Sequence, residues 1–263
     1  MICREAFILA TYVISDIHGE YDKFIRMLDK INFSDEDTLY ILGDVVDRGP
    51  NPVQVLLKLM SMHNVVPIVG NHELMAMECL SFLENEITDE TIEQLSPQDI
   101  NNLVNWHYNG CATTLAEFKR LDPEMKHEVS EFIKDFALYE EVQVVRQSSK
   151  PGRRKDKIRN GETVRYLLVH AGLGNYSPKK CIVDYSLKEI VWDRADYNVP
   201  YYPRRKNFFV ISGHTPTELI EDNPNPGYIY RKNNHIAIDC GACFKGGRLA
   251  AICLETDEEF YID

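Results

Sequence analysis

The chain has 263 residues, which is enough for one large domain or two small ones. Its 29 basic and 41 acidic residues give a formal net charge of −12, which argues against general binding to nucleic acids or anionic membranes. No apolar run approaches the roughly 18 residues of a membrane span. We therefore expect a cytoplasmic protein with no nucleic-acid or membrane partner. An anionic substrate remains compatible with this charge, because a metal or a few arginines can invert the local field.

Three segments near the beginning repeat one pattern of strand, polar turn and helix. The apolar stretch 6–14 runs into "SDIHGE" without a signal-peptide cleavage site, so it predicts a first buried strand. "LYIL" and "VVPIV" predict the next two strands. Helical patterns follow the three turns at about 21–31, 52–62 and 74–83. Such repeats indicate βαβ units and a largely parallel sheet, in which ligands bind at the carboxyl ends of the strands.

The segment from about 88 to 139 has a helical pattern that is polar on one face. "SPQDINNLVNWHY" and "DPEMKHEVSEFIKDF" both begin with Ser-Pro or Asp-Pro pairs that are typical of helix starts. We interpret the segment as a helical insertion within a single domain spanning 1–263. Strands return at 141–145 and 163–170. The basic segment between them, 146–162, indicates a hairpin loop, with a docking site for a phosphorylated partner as the alternative.

Three further strands are predicted near the end of the chain, in "FFVISGHT", "HIAIDCGA" and "RLAAICLE". Strands before and after the helical region predict an α/β fold in which two packed sheets form a β sandwich flanked by helices. The seven cysteines are odd in number and scattered, which predicts mostly buried thiols in a reducing compartment. Cys240 and Cys243 form a C-x-x-C pattern without a second pair, which argues against a zinc knuckle or a redox pair.

Five of the turns that follow apolar runs carry side chains able to bind a metal. These side chains belong to Asp16, His18, Asp44, Asn71, His72, His170 and His214. A single Asp-Gly turn is a structural default, but strand ends of a sandwich can converge on one rim. Carboxylate, imidazole and amide ligands suit hard or borderline divalent ions, and the set has no thiolate. It is too large for one ion, so we predict two ions that share a bridging carboxylate and direct a hydroxide at phosphorus.

The motifs "DIHG", "GDVVDRG", "GNHE", "HAG" and "GHT" resemble, in order and spacing, those of the phosphoprotein phosphatase branch of the metallophosphoesterase superfamily. The chain is most similar in appearance to compact bacterial and bacteriophage serine/threonine phosphatases. The resemblance extends from Asp16 to His214 and does not cover the helical insertion or the basic loop. It implies the calcineurin-like fold and hydrolysis of phosphoserine and phosphothreonine in proteins. It also implies two divalent metal ions, with manganese expected and iron or zinc as alternatives.

The resemblance implies a role for each matching position. Asp16 and His18 would bind the first metal, and Asp44 would bridge both metals. The second metal would be completed by Asn71, His170 and His214.

Other positions would act on the phosphate. His72 would protonate the leaving oxygen, and Asp47 would hold the His72 ring in the useful orientation. Arg48 would bind phosphoryl oxygens in a bidentate manner. A second such arginine lies shortly before the last ligand histidine in this branch. Arg194 fits that place better than Arg204 or Arg205.

Two alternatives are open. Symmetrical diadenosine tetraphosphate hydrolases share the fold and most motifs, but they typically have Ala where this chain has Asp47 and "GNHD" where it has "GNHE". Both differences favour a protein phosphatase. A non-catalytic scaffold with the same fold is the second alternative, and it usually lacks the general acid or several ligands. All of these residues are present here. The sequence indicates no oligomeric state.

Overall fold

A computed structural model describes residues 9–84, 88–147 and 158–263. It contains two five-stranded sheets flanked by helices, which confirms the predicted sandwich. In chain order the strands are β1 Thr11–Ile14, β2 Thr38–Ile41, β3 Val65–Pro67, β4 Tyr139–Val145, β5 Thr163–Val169, β6 Phe208–Ser212, β7 Tyr230–Lys232, β8 His235–Ala237, β9 Leu249–Cys253 and β10 Glu259–Ile262.

Both sheets are mixed. The first has the order β10-β9-β1-β2-β3, in which β1, β2 and β3 are parallel and β9 and β10 are antiparallel to their neighbours. The second has the order β4-β5-β6-β8-β7, with β5, β6 and β8 parallel and antiparallel strands at both edges. The predicted parallel arrangement is therefore correct for the strands that carry the motifs, and the antiparallel strands complete each sheet.

Helices cover the outer faces of the sheets. They are α1 Tyr21–Lys30, α2 Pro52–Met60, α3 Asn71–Leu83, α4 Asp89–Glu93, α5 Pro97–Tyr108, α6 Ala112–Phe118, α7 Pro123–Lys134 and α8 Leu187–Val191. Short 3₁₀ turns cover Ile182–Asp184 and Thr217–Leu219. The predicted Ser-Pro and Asp-Pro pairs do begin helices α5 and α7. The side chains of Ser96 and Asp122 cap them by accepting hydrogen bonds from backbone N–H groups in the first turn.

The two sheets pack through alternate side chains of their strands. Val13 of β1 faces the second sheet and packs in one apolar cluster with Leu168 and Ile211. Its neighbours Tyr12 and Ile14 point the other way, into the cluster that the helices cover. This period of two buries both faces of the first sheet. Burying a large apolar side chain contributes about 1.5–3 kcal/mol relative to leaving it exposed.

Helices α4 to α7 occupy the segment predicted as an insertion. Helix α3 packs against α5 and α7, and α2 packs against α6. The division of the chain into one domain with an insertion stays a prediction. Strands β4 and β5 form the predicted hairpin, with Val145 opposite Thr163. Of the basic loop, residues 148–157 lie outside the described part of the chain, as do residues 6–8 of the predicted first strand.

The cysteines in the described segments are free thiols, and four of them are buried: Cys79, Cys111, Cys240 and Cys253. Cys243 is partly buried and Cys181 is exposed, which agrees with the expectation that most of the thiols are buried. Within residues 9–84, 88–147 and 158–263, no helix is both long enough and apolar enough to cross a membrane.

Candidate metal centre

The predicted ligands follow the carboxyl ends of five strands, and several sit in unusual backbone conformations. Four of them have positive φ angles: Asp16 at 50°, His18 at 45°, Asp44 at 53° and His214 at 65°. A positive φ is uncommon for any residue with a Cβ, and such strain concentrates at functional sites. Backbone bonds hold the turns together, since the Asp16 N–H donates to the Gly43 carbonyl at 3.1 Å and the His18 N–H donates to the Asp44 carbonyl at 2.8 Å.

Glycine permits the close approach of turns within the first sheet and between the two sheets. A Cβ on Gly213, after β6, would lie 1.7 Å from Ser15 Oγ and 2.0 Å from Asp16 Oδ2, after β1. A Cβ on Gly70 would lie 2.2 Å from Asp44 Oδ1. Neither position has room for a side chain, so the glycines bring the carboxylates and imidazoles onto one rim.

The first group of ligand atoms comes from the first sheet. His18 Nε2 lies 3.5 Å from Asp44 Oδ2, and His72 Nε2 lies 3.9 Å from the same oxygen. All three side chains are buried, and their ligand atoms lie within 4.8 Å of one another. The structure therefore brings His72 close to the metal-binding atoms, although the sequence predicts it to be a proton donor rather than a ligand.

The second group joins the two sheets. His170 Nε2 lies 3.4 Å from Asp44 Oδ1 and 3.0 Å from Asn71 Oδ1. His214 Nδ1 lies 2.9 Å from the same Asn71 oxygen. Asp44 belongs to both groups, as a bridging ligand would.

Protonation of the imidazoles explains why this group fits a cation. His170 Nδ1–H donates to the Leu42 carbonyl at 2.6 Å, so its Nε2 carries a lone pair. That lone pair faces two further acceptors, the oxygens of Asn71 and Asp44. His214 Nε2–H likewise donates to the Trp192 carbonyl at 3.1 Å, which leaves a lone pair on Nδ1 facing Asn71. Converging acceptors repel one another unless a cation lies among them, and this donor set suits a divalent metal.

Burial shifts the pKa values of the ligands in the direction that favours their uncharged forms. It raises the pKa of Asp16 well above its usual range, and the nearby Asp239 adds to this shift. Burial followed by the Asp16 charge does the same to the pKa of Asp44. Burial lowers the pKa of His170 and brings that of His214 to about 4. Buried carboxylates beside neutral imidazoles gain strongly from a bound cation.

Asp16 lies beside these groups, but in the described structure its carboxylate is engaged by protein donors. It accepts a hydrogen bond from the Ser15 hydroxyl and two contacts from the His214 N–H, at 3.0 and 3.2 Å. Asp16 therefore links the end of β1 to the end of β6. Its assignment as a ligand of the first metal stays a prediction.

Asp47 and His72 form a fully buried pair. His72 Nδ1 donates to Asp47 Oδ2 at 2.7 Å, as the sequence predicts, and His72 Nε2 has no hydrogen-bond partner among the described residues. Burial raises the pKa of Asp47 to about 7, and burial followed by the charge of Arg48 lowers the pKa of His72. Burial therefore disfavours both an ionised Asp47 beside a neutral His72 and a protonated His72 beside a neutral Asp47. An ionised Asp47, which accepts the hydrogen bond from Nδ1, would stabilise a proton added to His72.

The predicted phosphate-binding arginines differ in their surroundings. Arg48 is exposed, follows Asp47 in a left-handed turn and donates from Nη1 to His18 Nε2 at 2.8 Å. Arg194 is also exposed, and its charge acts on His214, which places it at the rim of the site. Arg205 instead stacks on the rings of Tyr202 and Phe208, so it is the poorer candidate.

Three buried residues support the site without having been assigned a role from the sequence. The Glu73 carboxylate accepts backbone N–H groups from Asp44, Val45, Val46 and Gly70 at 2.7–3.2 Å. Trp106 and Thr114 both donate to Asp47. The sequence does contain a signal for a role of Glu73 at the site, because this residue belongs to the "GNHE" motif. Nothing near Trp106 or Thr114 indicates a contact with a turn about 60 residues earlier.

Together the sandwich and this ligand set define a metallophosphoesterase domain. The chain belongs to the calcineurin-like phosphoesterase family, which it matches over residues 9–218. The predicted superfamily and fold are thereby confirmed. The His and Asp clusters are able to hold a dinuclear centre, and they do not distinguish manganese from iron or zinc.

Curated relatives are similar to part of the chain. The symmetrical bis(5'-nucleosyl)-tetraphosphatase of Baumannia cicadellinicola subsp. Homalodisca coagulata is 41% identical over 101 residues, which is 37% of this chain and 35% of that protein. The protein of the same name from Salmonella typhimurium strain LT2 is 39% identical over 101 residues, 37% of this chain and 36% of the relative. The matches thus span about a third of each relative's length.

Solved structures match nearly the whole chain at low identity. A protein proposed to be a diadenosine tetraphosphatase gives a TM-score of 0.60 at 15% identity, covering 98% of this chain and 94% of the other. A protein serine/threonine phosphatase from Saccharomyces cerevisiae gives 0.56 at 12% identity, covering 98% and 80%. At these identities the likeness concerns the fold alone.

Proposed function

We propose that this chain is a metal-dependent phosphoesterase that hydrolyses phosphomonoesters of alcohols, with phosphoserine and phosphothreonine in proteins as the substrate class. The family and the ligand groups support the coarser part of this proposal. The observation that carries the finer part is the 2.7 Å hydrogen bond between His72 Nδ1 and Asp47 Oδ2. A cytoplasmic location and a phosphoprotein partner are part of the same proposal.

The argument depends on the leaving group. Hydrolysis of a serine or threonine phosphate expels an alkoxide, which is a poor leaving group unless it is protonated as the bond breaks. Symmetrical hydrolysis of a dinucleoside tetraphosphate expels a nucleoside diphosphate, which is stable as an anion. A buried imidazole that a carboxylate holds in place is therefore needed for the first reaction far more than for the second.

Each side chain then has a defined task. Two divalent ions, when bound, would supply positive charge and activate water. Arg48 and Arg194 stand at the exposed edge of the site, where their guanidinium groups would bind equatorial phosphoryl oxygens and orient the ester. His72 would hold a proton at Nε2 for the departing oxygen. Asp47 would fix the ring and stabilise its positive charge.

The second candidate is symmetrical hydrolysis of dinucleoside tetraphosphates. The named relatives support it better than they support a protein phosphatase, because the relatives at 39–41% identity carry this activity in their names. Their matched region covers only about a third of their own length, so it does not decide the substrate.

A parallel assay tests the choice between the two. Purified protein is stripped with a chelator, reloaded with Mn²⁺ and given a phosphoserine peptide, p-nitrophenyl phosphate or diadenosine tetraphosphate. We expect kcat/KM for the phosphoserine peptide to exceed that for the dinucleotide. Hydrolysis of the dinucleotide with no release of phosphate from the peptide would replace the first proposal with the second. No activity on any substrate with both metals bound would favour a non-catalytic scaffold.

A further inference from the structure

We infer that Trp106 and Thr114 are positioning residues for the proton donor, and that the helical segment outside the recognised motifs thereby takes part in catalysis. The inference rests on the proposed function, because it concerns protonation of the leaving oxygen by His72. Trp106 lies near the end of α5 and Thr114 in α6, and both side chains are buried.

The contacts of Asp47 carry this inference. Its Oδ2 accepts from His72 Nδ1 at 2.7 Å and from Trp106 Nε1 at 2.7 Å. Its Oδ1 accepts from the Thr114 hydroxyl at 2.6 Å. Thus both oxygens of a wholly buried carboxylate have donors, and two of the three donors come from the helical segment. Bonds to a buried carboxylate are strong and directional, so they fix the plane in which the carboxylate lies.

Thr114 also fixes the backbone of the same residue. Its Oγ1 accepts from the Asp47 N–H at 2.9 Å while its hydroxyl hydrogen is donated to Oδ1. Asp47 and the following Arg48 have φ angles of 71° and 66°, a conformation that is costly for residues with a Cβ. The bond from Asp47 N–H to Thr114 therefore helps to hold a turn that local preferences oppose.

The orientation of the His72 ring depends on this arrangement. The ring makes its Nδ1 bond to Asp47, while Nε2 is the atom directed at the metal-binding groups, 3.9 Å from Asp44 Oδ2. If the carboxylate rotated, the ring would rotate with it, and Nε2 would no longer point at the departing oxygen. Misplacement of a proton donor by a fraction of its hydrogen-bond length lowers the rate of the step that needs the proton and spares steps that do not.

Four variants test the inference. Thr114→Val removes the hydroxyl with little change in volume, and Trp106→Phe removes the indole N–H. Thr114→Ser keeps the hydroxyl. Thr113→Val is the matched control on the same helix, because the Thr113 hydroxyl is buried and lacks a hydrogen-bond partner within the described segments. Each variant is loaded with Mn²⁺, its metal content and melting temperature are measured, and kcat is determined on a phosphoserine peptide and on p-nitrophenyl phosphate.

We expect Thr114→Val and Trp106→Phe to lower kcat about tenfold or more on the peptide and about twofold or less on p-nitrophenyl phosphate, whose leaving group needs little protonation. Thr114→Ser should recover most of the loss, and Thr113→Val should match the wild type on both substrates. In a His72→Ala background, Thr114→Val should cause no further loss on the peptide, because residues that act through one another are not additive.

Equal losses on both substrates, or a further loss in the His72→Ala background, would mean that the two residues only stabilise the fold, and would overturn the inference. Wild-type protein that releases no phosphate from the peptide would overturn the proposed function itself, and with it the inference. The first result comes from the variants and the second from the wild type, so the two failures are distinguishable.

Discussion

Asp44 and Asp47 are three positions apart, yet their surroundings give them different chemistry. Asp44 faces the nitrogens of His18, His72 and His170 at 3.4–3.9 Å, distances that leave room for cations between them. Asp47 makes short hydrogen bonds to donors on every side and has no such gap. At the scale of residues, these surroundings fit metal binding by Asp44 and orientation of the His72 ring by Asp47.

The role of His72 can be tested directly. Its Nε2 lies near the metal-binding atoms and is also the atom expected to donate the proton. We expect His72→Ala to lower kcat on a phosphoserine peptide by about 10²–10⁴-fold while two metals still bind. The measurement is steady-state kinetics together with metal analysis of the purified variant. The exposed His127, changed to Ala, serves as the control. Loss of both metals from His72→Ala would instead make His72 a ligand.

Much of this residue-level arrangement could be predicted, because each proposed ligand directly follows an apolar run that reads as a strand. Asp16, His18, Asp44, Asn71, His170 and His214 all do so. Trp106 and Thr114 could not be predicted. They reach Asp47 across 59 and 67 residues of chain, and their function depends on how helices pack, which no local pattern encodes.

At the scale of elements, the turn between α5 and α6 supports the turn that carries Arg48, the arginine expected to bind phosphate. Gly110 has a φ of 101°, and its carbonyl accepts the Arg48 N–H at 3.0 Å. A Cβ at this position would lie 3.1 Å from Arg48 Cγ. The glycine that ends one helix therefore also adjoins the arginine expected to bind phosphate.

We expect Gly110→Ala to destabilise the fold by about 1–2 kcal/mol, because alanine resists a left-handed backbone, and also to raise KM because it displaces Arg48. Gly161→Ala is the matched control. Its φ is 82° and a Cβ there would meet nothing within 4 Å. Urea unfolding gives the stability of both variants, and p-nitrophenyl phosphate kinetics give KM. The same KM for both variants would contradict a role of this turn in placing Arg48.

The elements that escaped prediction are short. Strand β7 has three residues, β10 has four and α8 has five, and each contains charged residues. Strands β3 and β8 are as short, but they lie in longer apolar runs and could be predicted. Helices α5 and α7 begin at their predicted Ser-Pro and Asp-Pro pairs. Helix α3 begins at Asn71, three residues earlier than predicted, and α1 and α2 end one and two residues earlier than predicted. Helix ends are set by tertiary contacts and capping as much as by propensity.

At the scale of the whole molecule, the candidate centre joins two sheets. Asp44 and Asn71 follow strands of the first sheet, whereas His170 and His214 follow strands of the second. A cation bound by both sets would hold the rims of the two sheets together. Binding that occurs only in the folded state stabilises that state, by about 2.7 kcal/mol when the free ligand is at 100 times its Kd.

We therefore expect Mn²⁺ to raise the melting temperature of chelated protein and His214→Ala to reduce that rise. His63→Ala, remote from the motifs, is the control. Burial raises the pKa values of Asp16 and Asp44, so these carboxylates take up protons as the pH falls and the protons compete with the metal. The rise in melting temperature on adding Mn²⁺ should thus be larger at neutral than at acidic pH. A melting temperature that is indifferent to Mn²⁺ at both pH values would be incompatible with a centre that joins the sheets.

The pairing of β1 with β9 has a consequence for how the chain folds. Strand β1 is central to the first sheet, but one of its edges is completed only by residues near the other end of the sequence, and the Thr11 N–H bonds to Glu255 across 244 positions. Contacts of such large sequence separation slow folding and form late during vectorial synthesis. Catalytic competence should therefore arise in a single late step, and nascent or truncated chains should be inert toward phosphate esters even when every motif has been made.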